Sequence, residues 1–332
     1  MRHRLPSARV VGLLGAAAVV ALVGGCGSAT SQAQPDHDGG RVEVVASFYP
    51  LEFAAQQVGG DRVSVVSLTK PGVEPHDLEL TAKAVGRVAG ADLVVYAKGF
   101  QPAVDTAVDQ EGASHALDVA RVANLDRLAP PEDDAHGDPG HTHTDAENPA
   151  EDPADGPSAA MDPHFWLDPE RYAAVATAIA DRLGQVDSSH AAEYSSNAQA
   201  FAARLAALDG DLRTGLASCT NTDLVTSHAA FGYLAQRYGF TQVPIAGLSP
   251  DVEPSAAKLA EVADFVQQHH VTTIYAETLG EPAFADTISR STGAQLAVLD
   301  PIEGLTSQAR GRDYFEIMRS NLTVLRAGQG CA

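Results

Sequence analysis

The sequence predicts an α/β protein made of two βα domains, each built on a parallel sheet, joined by one long helix. Three observations predict it. Short β-branched runs alternate with helical patterns across residues 41–110 and again across 222–328, the rhythm of βα units on parallel strands. Between them lies an unbroken helical pattern of roughly thirty residues, long enough to span about 45 Å and so to bridge two domains rather than lie on one. The two halves show no close sequence repeat, so each must be justified by itself.

The first half opens with "RVEVVASFYPLEFAAQQVGG" (41–60), a β-rich run leading into a short helix that stops at Gly59–Gly60. "RVSVVSL" (62–68) alternates like a strand. "TAKAVGRVAG" (81–90) is a helix with a glycine stop, "ADLVVYAK" (91–98) a strand and "QPAVDTAVDQ" (101–110) a helix. Residues 129–160 then break the rhythm with six prolines, nine acidic residues and no lysine or arginine. Such a tract cannot bury enough apolar surface to offset its ordering entropy and reads as a disordered loop. "DPERYAAVATAIADRLGQVD" (168–187) is a helix, and the long helix runs over 188–218 with Ser188 or Ser189 as N-cap. The second half reads as strand 222–227, helix 229–239 ending at Gly239, helix 255–270, strand 271–277, helix 282–293, strand 294–301 and closing helix 314–328. The resulting boundaries are 41–187 for the N-terminal domain, 188–218 for the linker helix and 219–332 for the C-terminal domain.

Ahead of the fold, "MRHRLPSAR" is basic and the apolar run after it has the length of a signal-peptide core, short of a membrane span. It ends in "LVGGC" (22–26), which resembles the lipobox of bacterial lipoproteins. That resemblance implies removal of residues 1–25 and acylation of Cys26, with 26–40 as a flexible tether. The formal charge of −21 becomes about −24 once Arg2, Arg4 and Arg9 leave with the signal. So acidic a surface argues against nucleic acid or anionic lipid as a partner and favours cations. With Cys26 set aside, Cys219 and Cys331 remain. Outside the cytosol an even pair reads as a disulfide, the other reading being two buried free thiols.

Four residues share one structural address. His76 follows the 62–68 strand, His228 follows the 222–227 strand, Asp300 ends the 294–301 strand, and His164 lies in the turn "MDPHFWLDP" before a helix. Ligands of open parallel sheets bind outside the carboxyl ends of strands. Three imidazoles and a carboxylate suit zinc, and four protein ligands close a tetrahedral shell, leaving no vacancy for a nucleophilic water. Singly, each residue has a plainer reading: a hydrogen-bonded histidine near a strand end, or an aspartate starting a turn. Glu277 also ends a strand on that edge and reads as a partner supporting a ligand, or as an alternative ligand.

The blocks "VVASFYPLEFAAQQVGGDRVSVVSLTKPGVEPHDLELT", "DPHFWLDP", "LVTSHAAFGYLAQRYG" and "VLDPIEGL" resemble, in order, those of the metal-binding solute-binding proteins of ABC transporters, the cluster A-I proteins that handle zinc or manganese. The resemblance runs from about residue 41 to the C-terminus, interrupted by the acidic tract. It implies a rigid linker helix, a metal held in the cleft between two domains, and His76, His164, His228 and Asp300 as ligands. Manganese members tend to carry glutamate where this chain has His228, which favours the zinc-type, ZnuA-like members. Some zinc members place a glutamate directly before the first histidine, or use a water; here Pro75 stands there and Glu74 is one step further off.

The acidic tract supplies His136, His141 and His143 among carboxylates, a weak loop metal site of the kind similar zinc-binding members carry. The reading is therefore an extracytoplasmic, lipid-anchored, monomeric Zn2+ receptor and not an enzyme. Its expected partners are an ABC permease with a cytoplasmic ATPase and a possible metallochaperone, with the membrane met only through the lipid. No "GxxxxGK[ST]", "HExxH" or "GxSxG" occurs in the chain. The alternatives are a manganese receptor of the same fold and an extracytoplasmic zinc hydrolase.

Overall fold

The computed structural model describes residues 40–127, 161–279 and 282–332. The expected signal, the expected acylation site Cys26, most of the expected tether, and the loop histidines His136, His141 and His143 lie outside the described residues.

In the first half, strands β1 (Val42–Ala46), β2 (Val63–Ser67), β3 (Leu93–Tyr96) and β4 (Ala116–Asp118) form a parallel sheet in the order β2-β1-β3-β4. Helices α1 (Tyr49–Gly59), α2 (Ala82–Gly90) and α3 (Pro102–Ala107) connect them. In the second half, β5 (Asp223–Thr226), β6 (Thr241–Pro244), β7 (Thr273–Ala276) and β8 (Gln295–Val298) repeat the arrangement as β6-β5-β7-β8, all parallel. Its connecting helices are α6 (Gly232–Tyr238), α7 (Ala256–Gln268) and α8 (Ala283–Thr292). Strand order reverses between β1 and β3, and again between β5 and β7, so each sheet has a crevice at its carboxyl edge.

Two strands escape the periodic pattern. The three residues of β4 are half-buried, too few to show alternation. The four residues of β6 end in Pro244, which only an edge strand accommodates, and β6 is at the edge.

Helices α4 (Pro169–Val186) and α5 (Ala191–Gly215) follow the first sheet, and α9 (Tyr314–Gly328) closes the chain. With the helical turn Ser188–His190, α5 forms the long helix linking the two sheets. Its start differs from the expected serine cap. Asp187 organises it, accepting hydrogen bonds from Ser189 Oγ (2.7 Å), Tyr194 OH (2.7 Å) and His190 Nδ1 (2.7 Å). Partial burial works against the Asp187 carboxylate, but these donors outweigh it and hold the pKa down at about 2.

The long helix does not stand free between the halves. Phe201 on α5 meets Phe53 of α1, Tyr172 of α4 and Phe315 of α9, with ring centroids 5.4–5.9 Å apart. One continuous apolar core therefore contains residues from both halves. Arg237 of α6 adds a polar tie, its Nη1 3.1 Å from Asp168 and its Nε donating to Asp209 of α5 at 2.6 Å. A hinge between the halves would have to work against this packed aromatic layer.

A disulfide joins Cys219 to Cys331, 112 residues apart in sequence, and ties the end of the chain to the start of the second half. Closing so long a loop restricts the unfolded chain. Changing both cysteines to serine is expected to lower unfolding free energy by about 2–4 kcal/mol, read from denaturant melts. Mass mapping without reductant should recover the linked peptide, and free thiols at both positions would refute the bridge.

Candidate metal centre

His76 sits in the turn after β2. Gln101 Nε2 donates to Pro75 O (3.1 Å) and to Thr69 Oγ1 (3.1 Å), while Thr69 Oγ1 donates to Ser47 O at the end of β1 (2.8 Å). Glu74 Oε2 accepts the His76 backbone N–H at 2.8 Å. The ring of His76 packs edge-on against Phe100, centroids 4.5 Å apart. The turn is thus fixed at the carboxyl edge of the first sheet by buried polar side chains, as buried backbone groups require.

His164 is oriented by its own turn. Asp162 Oδ1 accepts from the His164 backbone N–H (2.9 Å) and from Nδ1 (2.8 Å), which leaves Nε2 pointing inward. Trp166, two residues on, donates from Nε1 to Pro301 O at 2.7 Å, and Tyr314 OH donates to Trp166 O at 2.6 Å. The single tryptophan therefore clamps the His164 turn to the turn after β8. Gly232 makes room for this arrangement, since a Cβ there would lie 2.5 Å from Asp162 Oδ2.

His228 emerges directly from β5. Its backbone N–H donates to Glu277 Oε1 (3.1 Å), and Nδ1 lies 2.6 Å from Glu277 Oε2. Glu277 follows β7, so the carboxylate that orients His228 comes from across the second sheet's crevice. An imidazole with one nitrogen fixed by a carboxylate is the arrangement that sets tautomer and ring angle in metal-binding histidines.

All three Nε2 atoms converge on Glu303. Its Oε1 lies 3.0 Å from His164 Nε2, 3.2 Å from His228 Nε2 and 3.5 Å from His76 Nε2. Glu303 is the fourth member of the compact group His76, His164, His228 and Glu303, whose donor atoms all lie within 4.8 Å of one another. Neighbouring ligands of a tetrahedral zinc at about 2.0–2.1 Å are separated by about 3.3 Å, and the three contacts to Oε1 bracket that spacing. Glu303 Oε2 and His76 Nε2 are buried without hydrogen-bond partners. Buried lone pairs without a donor, set among the other two imidazoles, fit a cation.

Charge in the group is shared. Burial disfavours the Glu303 carboxylate, but the facing imidazoles, His228 first, outweigh it and hold its pKa well below the usual range. Burial likewise disfavours charged His228 and His164. The carboxylates of Glu277 and Glu303 around the first, and of Asp162 and Glu303 around the second, reverse this and raise both. His76, with burial dominant, is lowered. Glu74, buried beside Glu303, is pushed up to about 8. Positive charge is thus stabilised at one point, surrounded by carboxylates on three sides.

Asp300 is buried, yet it is not in this group. Its Oδ1 accepts the backbone N–H of Ile302 at 2.8 Å, and its backbone exchanges hydrogen bonds with the Asn321 amide at 3.0 and 2.7 Å. Burial raises its pKa to about 6. The local chain explains the difference: Asp300 closes a turn over Ile302, which takes a left-handed φ of 61°. That conformation is costly for a β-branched residue. The turn sends Glu303 inward and leaves Asp300 supporting it. Sequence reasoning took the first acid of "VLDPIEGL" and passed over the second, three residues later. It also passed over Asp162, whose place two residues before His164 was visible in "MDPHFWLDP".

Two parallel sheets linked by a long helix, with a buried group of three imidazoles and one carboxylate, define a metal-binding solute-binding protein of the cluster A-I architecture. Residues 44–328 match the family model described as ZnuA, the periplasmic component A of the zinc-uptake complex, and the chain belongs to this family. It is 35% identical over 318 residues to the high-affinity zinc uptake system protein ZnuA of Bacillus subtilis (strain 168), covering 95% of this chain and 96% of that one. It is 34% identical to the zinc-binding lipoprotein AdcA of Streptococcus pneumoniae serotype 4, covering 90% of this chain but 57% of the longer relative. Among solved structures, Zn(II)-bound AdcA of Streptococcus pneumoniae superposes with a TM-score of 0.68 at 32% identity over 87% of this chain and 58% of that one. The laminin-binding protein of Streptococcus agalactiae, described as both adhesin and metal transporter, superposes at 0.72 with 29% identity, covering 87% and 99%. Zinc is the metal this donor set and these relatives indicate.

Proposed function

We infer that the protein is the extracytoplasmic receptor of a zinc importer. It binds Zn2+ through His76, His164, His228 and Glu303, in a cleft between domains spanning residues 41–187 and 219–332, and hands the ion to an ABC permease driven by a cytoplasmic ATPase. The observation that carries this reading is the convergence of three Nε2 atoms from both halves on Glu303 Oε1. Anchoring through an acylated Cys26 and work as a monomer complete the proposal. So does a part for a metallochaperone in loading, and a part for His136, His141 and His143 in weak capture.

Zinc is cargo here rather than a reagent. Four protein donors complete its shell, so no coordination position is left for the activated water of a hydrolase. An imidazole ligand at His228, where a carboxylate would suit manganese better, favours the borderline-soft ion. Protein purified without chelators is expected to carry about one zinc per chain, and manganese in large excess should not displace it. Metal analysis with less than half an equivalent of zinc, after zinc is supplied, would overturn the assignment.

A further inference from the structure

One carboxylate at this centre has no place in the four-membered group. Glu74 precedes His76 by two residues, and its Oε2 is occupied by the His76 backbone N–H at 2.8 Å. That bond fixes the carboxylate and leaves Oε1 3.9 Å from His76 Nε2. Glu74 Oε1 is buried and has no hydrogen-bond partner. His76 Nε2, with its side chain only 9% exposed, is also without a hydrogen-bond partner. Two orphaned atoms, a carboxylate oxygen and an imidazole nitrogen, thus lie 3.9 Å apart.

This pair is the more exposed side of the centre. His164 and His228 have fully buried side chains and Glu303 is 1% exposed, whereas the His76 side chain reaches 9% and that of Glu74 15%. An ion arriving on this side meets Glu74 and His76 before His164 and His228. It must shed its waters there, and a transient oxygen ligand lowers that barrier in both directions.

We propose that Glu74 is a transit ligand, which holds the incoming zinc together with His76 and passes it inward to Glu303, and which takes the ion back on release. The proposal rests on the metal assignment above. It differs from simple charge attraction in what it does to exit. Attraction by a carboxylate speeds entry and slows release, whereas a transit ligand speeds both and leaves the equilibrium nearly unchanged.

The test uses Glu74→Gln in the full protein, with zinc association and release followed by stopped-flow against a fluorescent chelator. Glutamine keeps an oxygen for the His76 N–H, so the turn survives, but its amide is a poor zinc ligand. Entry and exit are both expected to slow by about tenfold, within the range over which charged clefts alter on-rates, with Kd little changed. Rates equal to wild type would overturn the proposal. So would slower entry with faster release, which marks attraction only, and so would unchanged entry with faster release, which marks a permanent fifth ligand. Glu74→Ala, which also removes the bond to His76 N–H, separates loss of the turn from loss of the ligand. If wild type itself binds no zinc, the metal assignment fails before this question arises.

Discussion

His164→Ala is expected to abolish tight zinc binding, while the triple change of His136, His141 and His143 to alanine leaves it in place. Zinc binding to four protein ligands in small domains is worth roughly 10–16 kcal/mol, or about 3–4 kcal/mol per ligand, so losing one should weaken affinity about 10²- to 10³-fold. The loss at His164 falls at the upper end of that range. Asp162 would be left without its imidazole, and Glu303 would lose its closest donor, at 3.0 Å. The space left by the ring lies against Trp166 and Phe100, whose centroids are 5.2 and 6.2 Å from it, and between the carboxylates of Asp162 and Glu303, which water entering there would bridge without restoring the imidazole ligand. Calorimetric titration of both variants checks the contrast. Equal affinities for the single and triple variants would show that the buried group is not the high-affinity site.

Glu303→Gln should cost as much as loss of a histidine, and Asp300→Asn much less. Both changes are isosteric, so packing is held constant. In Glu303→Gln the amide replaces the carboxylate that three Nε2 atoms face, removing the one negative ligand, while Asp162 and Glu277 still face His164 and His228 from behind. An affinity loss of about 10²- to 10³-fold follows from the same per-ligand figure. Asp300→Asn keeps an oxygen to accept the Ile302 N–H, so the turn that aims Glu303 is preserved. Asp300→Ala removes that acceptor and releases the left-handed Ile302, and its cost should match that of disturbing a supporting residue, about 10- to 100-fold. The order Glu303→Gln, Asp300→Ala, Asp300→Asn, from most to least damaging, is the expected result in zinc titrations. Asp300→Asn as damaging as Glu303→Gln would make Asp300 the ligand.

These two experiments separate what is written locally from what is not. The helices were legible because each buries one face and so displays a period of 3.6, while β3 and β7, buried on both faces of their parallel sheets, were legible as continuous apolar β-branched runs. The three histidines were legible for a related reason: each stands beside a strand end or helix start that the pattern locates. Strand β4 was not, because three residues carry no period, and β6 was hidden by Pro244, which its edge position makes harmless.

The amino-acid sequence by itself determined the α/β class, the long helix, and the family whose blocks run through the chain. It also brought the search to four short stretches. Only the tertiary structure decided which acid in "VLDPIEGL" faces the histidines. That choice depends on a left-handed turn at Ile302, on Asn321 from a distant helix holding Asp300, and on Trp166 clamping Pro301. The last two come from outside the segment and hold its turn in place. A donor's chemistry is carried by its residue type, but its direction is set by packing and hydrogen bonds from residues far away in the chain, and direction decides which carboxylate meets the ion.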